Sequence, residues 1–294
     1  TLHYILEQSE SCGLIVAGET DNNNIMETAV TAKRAISSLE QIFIMDGSSE
    51  KDAISWKELI AGSNKISKDS LAKMAAAVSP EDPVAIMYTS GTTGRPKGVV
   101  LDHLGLISQT MVATERQGLS AEDRLCLFFP LFHMFGNTCI ALAGLLRGAA
   151  LIMPCRKFDP AKILSTISIE KCTAIYGSPS MLIALVDHPR FRKSDWASLS
   201  KGIIGGAPCP MELMRKIVEE IGIKDITVAY GITETSSWIT MTHPRDPIEL
   251  RVSTIGRPLK CNEVKIVDPA NGETLEHGRQ GELCTRGFLM KEYY

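Results

Sequence analysis

The sequence predicts an α/β fold of layered βαβ sheets with flanking helices, followed by a small β-rich, barrel-like portion at the C-terminus. Three observations predict this class. Between residues 80 and 237, short apolar runs alternate with amphipathic stretches of about ten or more residues, as in parallel βαβ units. After residue 238, short strand-like runs are separated by Gly, Pro and Asn turns. With 294 residues, of which 44% are hydrophobic, the chain can bury a sizeable core.

The first 79 residues already alternate between helix and strand. The spacing of their apolar residues predicts helices at 2–9, 28–39 and 56–61 and strands at 13–17 and 41–45. Pro80 and Pro83 then precede the next apolar run and would end any helix that reached them. We therefore predict a partial first α/β subdomain at 1–79.

The middle of the chain carries the longest series of alternating elements. Asp102 is suited to cap the start of a helix and Gly118 to end it. The predicted helices lie at 103–117, 137–146, 160–170, 180–187 and 210–221. The predicted strands lie at 124–129, 149–153, 173–176, 201–204 and 227–229. These elements predict a second α/β subdomain at 80–237, and strands at 263–267 and 282–285 predict a β-rich portion at 238–294.

Composition argues against several classes of function. The net charge of −3 gives no electrostatic reason to expect a nucleic-acid partner. The most apolar stretch, 139–153, is interrupted by Arg147 and Gly148, so no transmembrane segment is predicted. The eight cysteines include no Cys-x-x-Cys pair and are expected to be reduced, which favours a cytoplasmic protein.

The chain is organised around a glycine-rich loop between two apolar runs, 85–88 and 99–101. Glycines let a backbone approach an anion closely, hydroxyl groups donate to its oxygens, and cations offset its charge. The loop is not a Walker A motif, because Lys97 is followed by Gly98. A flexible linker is the alternative, but the ordered run is too particular for one. The residues expected to bind phosphate are Thr89, Ser90, Gly91, Thr92, Thr93, Gly94 and Lys97.

Two stretches after predicted strands carry weaker signals when each is taken alone. The small residues Gly206, Ala207 and Pro208 would let a flat ring lie against the backbone, although such a sequence is usually a tight connection. His133 lies among aromatic residues, and a lone histidine in that setting is more often part of a packed core. Both stretches lie where ligands bind in open α/β sheets.

The stretch 230–235 also follows a predicted strand and combines a ring, a glycine, a hydroxyl and a carboxylate. Tyr230 could stack on a base and Gly231 could admit the ligand. Thr233 could bind a phosphate oxygen, and Glu234 could bind a divalent cation. The alternative interpretation is a polar turn with a capping glutamate.

The run from Thr89 to Gly98 resembles the signature of the adenylate-forming superfamily, which includes acyl-CoA synthetases, nonribosomal peptide adenylation domains and firefly luciferase. The runs at 230–234 and 130–133 are similar to its Tyr-Gly-x-Thr-Glu and Pro-x-x-His segments. The resemblance implies that the subdomain at 80–237 binds nucleotide. It also implies ATP, Mg²⁺ and CoA as the cofactors and co-substrates.

The resemblance further implies a role for each segment. Tyr230 would stack on adenine beside a wall formed by residues 206–208. Thr233 would contact the α-phosphate, Glu234 would hold Mg²⁺, and His133 would lie beside the acyl group. The expected catalytic residues are Lys97, His133, Thr233 and Glu234.

The sequence looks most like the acyl-CoA synthetases, so the implied reaction is ATP-dependent activation of a fatty or aromatic acid, followed by transfer to CoA. Two alternatives stay open: an adenylation module that loads a carrier-protein thiol, and a nucleotide-binding fragment without catalysis. In the family, a ribose-binding aspartate and a carboxylate-polarising lysine follow the equivalent of Tyr294. We therefore expect an internal piece of a longer protein, without the small C-terminal catalytic domain and inactive by itself.

Overall fold

The computed structural model describes residues 1–18, 25–46, 52–90 and 94–294. These residues form two compact units. The smaller unit consists of Thr1–Asp82, Tyr88–Gly98 and Tyr293–Tyr294, and the larger unit consists of Pro83–Met87 and Val99–Glu292. The subdomains predicted at 1–79, 80–237 and 238–294 stay predictions.

The order of strands and helices confirms the predicted α/β class. The strands are β1 (Gly13–Val16), β2 (Gln41–Ile44), β3 (Ile54–Ser55), β4 (Pro83–Thr89), β5 (Lys97–Asp102), β6 (Arg124–Cys126), β7 (Ala150–Ile152), β8 (Ala174–Gly177), β9 (Lys201–Gly205), β10 (Asp225–Tyr230), β11 (Thr240–Met241), β12 (Arg257–Pro258), β13 (Glu263–Val267), β14 (Glu282–Arg286) and β15 (Glu292–Tyr293). The α-helices are α1 (Leu2–Gln8), α2 (Ile25–Ala35), α3 (Trp56–Ala61), α4 (Lys68–Ala76), α5 (His103–Gln117), α6 (Ala143–Arg147), α7 (Pro160–Glu170), α8 (Pro179–Val186), α9 (Met211–Arg215) and α10 (Ile248–Ser253). Short 3₁₀ turns lie at Gly62–Lys65, Lys193–Trp196 and Thr233–Thr235, and π-helical segments lie at Phe135–Leu142 and Lys216–Ile221. None of the helices described has the length and apolar character needed to cross a membrane.

Most predicted elements lie within a few residues of their predicted bounds, but two helices were missed. α4 lies in a polar stretch of the sequence and buries none of its residues. Its start is marked by Ser67, whose hydroxyl oxygen accepts the Ser70 N–H at 3.0 Å. α10 is only six residues long; it buries Arg251, and Ile248 and Val252 pack against the core of the larger unit. The polar surroundings of α4 and the shortness of α10 made both helices hard to predict from sequence.

In the smaller unit, β1, β2 and β3 form a parallel sheet. α2 connects β1 to β2, as a parallel pair requires. Ala29 of α2 is buried and packs in one apolar cluster with Val16, Ile42 and Ile44. The predicted helix and strands of this segment are thus confirmed, although α2 begins at Ile25 rather than at residue 28.

A three-stranded sheet with the strand order β15–β5–β4 carries the glycine-rich loop, which joins β4 to β5. Around β15, the Lys291 N–H donates to the Val100 carbonyl oxygen at 2.9 Å. The Tyr294 N–H donates to the Gly98 carbonyl oxygen at 2.8 Å. Residues from the end of the described chain therefore pair directly with the strand that follows the loop.

The larger unit is built on a seven-stranded sheet with the order β12–β11–β10–β9–β8–β6–β7. The strands from β10 to β7 are parallel, and β11 and β12 extend the sheet antiparallel. Successive residues face opposite sides: Leu125 and Ile203 pack in the cluster with α5 and α6, whereas Cys126 and Ile204 pack with α7, α8 and α9. Both faces are covered, which explains why these strands read as continuous apolar runs.

Asp123 lies just before β6, at the amino-terminal edge of this sheet, and is 5% exposed. Its carboxylate accepts the Ser120 N–H at 2.8 Å and the Thr173 hydroxyl at 2.8 Å. Lys201 Nζ lies 3.1 Å from the same carboxylate. Burial acts to raise the pKa of Asp123, but these hydrogen bonds and the Lys201 charge outweigh burial and lower it.

The lowered pKa makes the contribution of Asp123 to stability depend on pH. That contribution is present above the unfolded pKa of about 3.9 and is lost as the pH falls through the folded value. Asp123→Asn should lower the free energy of unfolding by about 2 kcal/mol at pH 7 and by much less at pH 3. Urea unfolding at both pH values measures this, with the exposed neighbour Glu122→Gln as the control. An equal loss at both pH values would contradict the assignment.

Arg251 of α10 is 6% exposed, and its guanidinium donates only to backbone carbonyl oxygens in the hydrogen bonds recorded for the described residues. Nε donates to Asp246 at 2.8 Å, and Nη2 donates to Pro244. Nη1 donates to Lys224 at 3.0 Å and to Ile226 at 2.9 Å. Burial lowers the pKa of Arg251, and the charges of Asp246 and Asp225 oppose this effect. The carbonyl oxygens satisfy the buried N–H donors. One side chain thus joins α10, the start of β10 and the segment before α10.

Candidate active site

The carboxyl-terminal edge of the seven-stranded sheet carries several predicted site residues. Ala229 of β10 pairs with Gly205 of β9 in parallel register, so the residues that follow these strands leave the sheet side by side. Gly206 has φ +83°, a conformation that favours glycine, and the space where a side chain would stand is open. Ala207 and Pro208 are exposed. The result is an open surface with small side chains, as a flat ring requires.

Tyr230 ends β10 and is 38% exposed, so part of its ring is accessible at this edge. The next residue must be glycine, because a Cβ atom on Gly231 would lie 1.8 Å from the Ser237 carbonyl oxygen. The segment 231–237 therefore folds back on itself. Its 3₁₀ turn carries Thr233 and Glu234.

The fold-back is held in an unusual backbone conformation. Ser236 and Ser237 have φ values of 52° and 109°, which cost non-glycine residues about 1–3 kcal/mol each. Both serines are buried. Beyond them, the Trp238 carbonyl oxygen accepts from the side-chain amides of Gln109 and Asn262. These contacts hold the turn in place through several independent hydrogen bonds, and none of these residues was predicted from sequence to support the site.

Glu234 and Thr233 are half-buried. The Glu234 carbonyl oxygen accepts the Met290 N–H at 2.7 Å, which fixes the backbone of the turn. Among the residues described, no group of three His, Cys, Asp or Glu side chains lies together as a metal site. A single carboxylate still fits Mg²⁺, which is commonly bound through one or two carboxylates together with phosphate oxygens and water.

His133 follows β6 and lies at the same edge of the sheet. Its Nδ1 accepts the backbone N–H of Phe135 at 3.0 Å, so the neutral ring carries its proton on Nε2. Desolvation by surrounding protein atoms lowers the pKa of His133, which favours this neutral form. The side chain therefore presents an N–H donor suited to a carboxylate oxygen.

A row of aromatic rings extends from His133. Its ring centroid lies 5.3 Å from that of Phe129, which lies 4.7 Å from that of Phe135. Phe135 in turn meets Trp238 edge to face, with 5.5 Å between centroids. The row links the His133 segment to the end of the fold-back segment 231–237. Aromatic residues in both sequence stretches were the signal that could have revealed this link.

The phosphate-loop residues belong to the smaller unit. Thr89 ends β4, and Ser90 after it is exposed. Gly94 has φ +91°, again a conformation that favours glycine, and Lys97 begins β5. The predicted phosphate ligands that lie outside the described residues are Gly91, Thr92 and Thr93.

Both cations of this loop lie over tyrosine rings. Arg95 Cζ is 5.8 Å from the centroid of Tyr4, and Lys97 Nζ is 5.1 Å from the centroid of Tyr293. Both distances are within the range of cation–π contacts. Neither tyrosine is predictable from the sequence around the loop, because each is far from the loop along the chain.

The predicted site residues fall in two groups. Those that the larger unit brings to one sheet edge are Gly206, Ala207, Pro208, Tyr230, Gly231, Thr233, Glu234 and His133. Those described in the smaller unit are Thr89, Ser90, Gly94 and Lys97. The roles assigned to them stay predictions.

Comparison with known proteins identifies related sequences. The protein YngI of Bacillus subtilis (strain 168) is 37% identical over 307 residues, which cover 100% of this chain and 56% of YngI. The mitochondrial medium-chain acyl-CoA ligase ACSF2 of Danio rerio is 35% identical over 254 residues, which cover 85% of this chain and 42% of ACSF2. The chain therefore spans about half the length of these curated relatives.

Comparison of structures agrees with the sequences. The anthranilate CoA ligase AuaEII in complex with anthranoyl-AMP matches with a TM-score of 0.87 and 25% sequence identity, over 99% of this chain and 54% of AuaEII. The AMP-binding enzyme family is matched over residues 1–294. This chain belongs to the AMP-binding enzyme family.

Proposed function

We propose that the protein activates a carboxylic acid with ATP, releases pyrophosphate, and transfers the acyl group from the acyl-adenylate to CoA. The observation that carries this proposal is the open sheet edge, where Gly206 follows β9 and Tyr230 ends the adjacent parallel strand β10, beside the turn with Glu234. Ligands bind at such edges in open α/β sheets. Two similar proteins, ACSF2 and AuaEII, are named as a medium-chain acyl-CoA ligase and an anthranilate CoA ligase, which supports the same class of reaction.

In this proposal each group of residues binds a different part of ATP. The exposed ring of Tyr230 stacks on the adenine, and residues 206–208 offer a surface without bulky side chains. Thr89 and Ser90 donate hydroxyl hydrogen bonds to phosphate oxygens. Lys97 supplies a charge-assisted hydrogen bond to the same anionic group.

Adenylation overcomes the poor electrophilicity of a carboxylate. A carboxylate oxygen attacks the α-phosphorus of ATP, and pyrophosphate leaves with the electrons of the broken P–O bond. Thr233 donates to an α-phosphate oxygen and stabilises the charge that develops there. The Nε2–H of His133 donates to the acid and orients it for attack.

Glu234 is the residue that would hold Mg²⁺, and the bound cation would neutralise charge on the phosphate oxygens. Two buried thiols, Cys139 and Cys209, are poorly suited to accept the acyl group. Burial raises the pKa of Cys209 to about 11 and holds that of Cys139 well above its usual value, so both stay protonated near neutral pH. We propose that the acceptor thiol belongs to a second substrate, CoA, as the names of the similar ligases ACSF2 and AuaEII suggest.

The proposal is tested on the whole protein by ATP–pyrophosphate exchange with medium-chain fatty acids, aromatic acids and amino acids. We expect exchange that depends on a fatty or aromatic acid, and thioester formation when CoA is added. Exchange with amino acids and transfer to a carrier protein would replace this proposal with an adenylation module. ATP binding without exchange for any acid would replace it with a non-catalytic nucleotide-binding protein.

We propose the cytoplasm as the location, on the basis of the scattered cysteines without a Cys-x-x-Cys pair. The relative ACSF2 is named as mitochondrial, so organelle targeting is the competing expectation. Cell fractionation of the whole protein distinguishes the two, because mitochondrial recovery would contradict a cytoplasmic location.

A further inference from the structure

We propose that Tyr4 and Tyr293 are positioning residues, whose ring faces hold the two cations of the phosphate loop in place for an anionic ligand. Tyr4 belongs to α1 and Tyr293 to β15, at opposite ends of the described chain. The inference rests on the proposed function, since it assigns a purpose to the orientation of Arg95 and Lys97. It concerns the smaller unit alone.

Tyr4 contacts the loop in two independent ways. Its ring lies under the Arg95 guanidinium, with 5.8 Å between Cζ and the ring centroid. Its hydroxyl donates to the Pro96 carbonyl oxygen at 3.2 Å. A single side chain therefore fixes both the backbone at Pro96 and the direction of Arg95.

Tyr293 holds the second cation. Lys97 Nζ lies 5.1 Å from its ring centroid, and Lys97 is half-buried. The residue after Tyr293 ties the same segment to the loop, because the Tyr294 N–H donates to the Gly98 carbonyl oxygen at 2.8 Å. The ring is therefore held against the lysine by a backbone hydrogen bond next to it.

The other end of the loop is tied to the same elements. Tyr88, two residues before Ser90, donates its hydroxyl to the Ile5 carbonyl oxygen at 3.4 Å and lies in hydrogen-bond contact with the Gln8 side chain. The Gln8 amide also donates to the Tyr294 carbonyl oxygen. α1 and residues 293–294 thus hold both flanks of the loop.

A ring face differs from a carboxylate as a partner for these cations. A carboxylate would neutralise the ammonium or guanidinium, whereas a ring attracts the cation through its quadrupole and leaves the net charge in place. The long side chains of Lys97 and Arg95 lose rotamer freedom before the ligand arrives. The side chains of Lys97 and Arg95 are therefore oriented before the ligand binds.

The test compares Tyr293→Leu with Tyr293→Phe, which keeps the ring. Tyr293→Leu should raise the Kd of ATP about three- to tenfold, the range expected for a partly exposed cation–π contact. Tyr293→Phe should bind ATP like the wild type. Tyr293 is 44% exposed, so both variants should keep the melting temperature of the wild type. Titration calorimetry with ATP and thermal melting measure the two properties.

A double-mutant cycle shows whether the effect acts through Lys97. In a Lys97→Ala background, Tyr293→Leu should change ATP affinity no further, because the cation that the ring holds is gone. Additive losses would overturn the positioning role. For Tyr4, the variant Tyr4→Phe keeps the ring and removes the hydroxyl bond to Pro96, so it separates the two contacts of that side chain.

A readout without nucleotide separates this inference from the proposed function. The ε-methylene protons of Lys97, assigned by their loss in Lys97→Arg, should be shifted upfield by the Tyr293 ring in NMR spectra. The shift should persist in Tyr293→Phe and vanish in Tyr293→Leu. If the wild type lacks the upfield shift, the contact between Lys97 and Tyr293 is wrong. If the wild type shows the shift but Tyr293→Leu binds ATP with unchanged affinity, the contact exists but does not position Lys97 for the ligand. A wild type that shows the shift but binds no ATP overturns the proposed function and the assigned purpose, while the contact stands.

Discussion

Glu234→Gln is expected to lower the rate of acyl-adenylate formation about 100-fold, equivalent to about 2.7 kcal/mol of lost transition-state stabilisation. The neutral amide is a poorer ligand for a hard cation than a carboxylate. The Mg²⁺ concentration that gives half the maximal rate should therefore rise as well. Pyrophosphate release measured across a magnesium titration reports both quantities.

The control for this variant is Glu212→Gln, which makes the same chemical change on an exposed position of α9. It should leave both the rate and the magnesium dependence unchanged. Glu234 is half-buried, so thermal melting of both variants is needed to show that they stay folded. An unchanged magnesium titration in folded Glu234→Gln would remove this residue from the metal site.

The second large effect is expected for Lys97→Ala, which should lower kcat/KM for ATP by about 30- to 100-fold. The lysine is the cation at the start of β5 that faces the phosphates in the proposed site. Its removal should cost at most about 1 kcal/mol of folding stability, because the side chain is only half-buried. Steady-state kinetics with ATP and urea unfolding measure the two effects separately.

Lys65→Ala is the matched control, because Lys65 is an exposed lysine of the same unit in the 3₁₀ turn Gly62–Lys65. It should leave ATP kinetics unchanged. If Lys97→Ala lowers the melting temperature strongly and keeps normal ATP kinetics, the loop has a structural role and the phosphate assignment is wrong.

The elements that were predictable from sequence are those specified by neighbouring residues. α5 has the bounds predicted for it, because the Asp102 carboxylate accepts the Gly105 N–H at 2.7 Å and Gly118 adopts the left-handed conformation that ends the helix. The predicted antiparallel strands β13 and β14 are likewise found. Local signals of this kind need no knowledge of the tertiary structure.

The features that escaped prediction depend on contacts between distant residues. Tyr293 contacts Lys97 although almost 200 positions separate the two residues in sequence, and no local pattern predicts such a contact. The tautomer of His133 depends on a backbone N–H that only the folded segment presents. The left-handed backbone conformation of Ser236 and Ser237 could not be predicted either, because serine has no preference for that conformation.

The guanidinium of Arg251 has a consequence for the dynamics of the larger unit. This side chain joins α10 to β10 and to residues 244 and 246. If α10 unfolds locally, the carbonyl oxygens of the other segments lose their hydrogen-bond donor. The amide protons of these segments should therefore exchange with solvent deuterium as one cooperative unit. β10 ends at Tyr230, so a ligand stacked on that ring would slow amide exchange in α10, at the amino-terminal end of the strand.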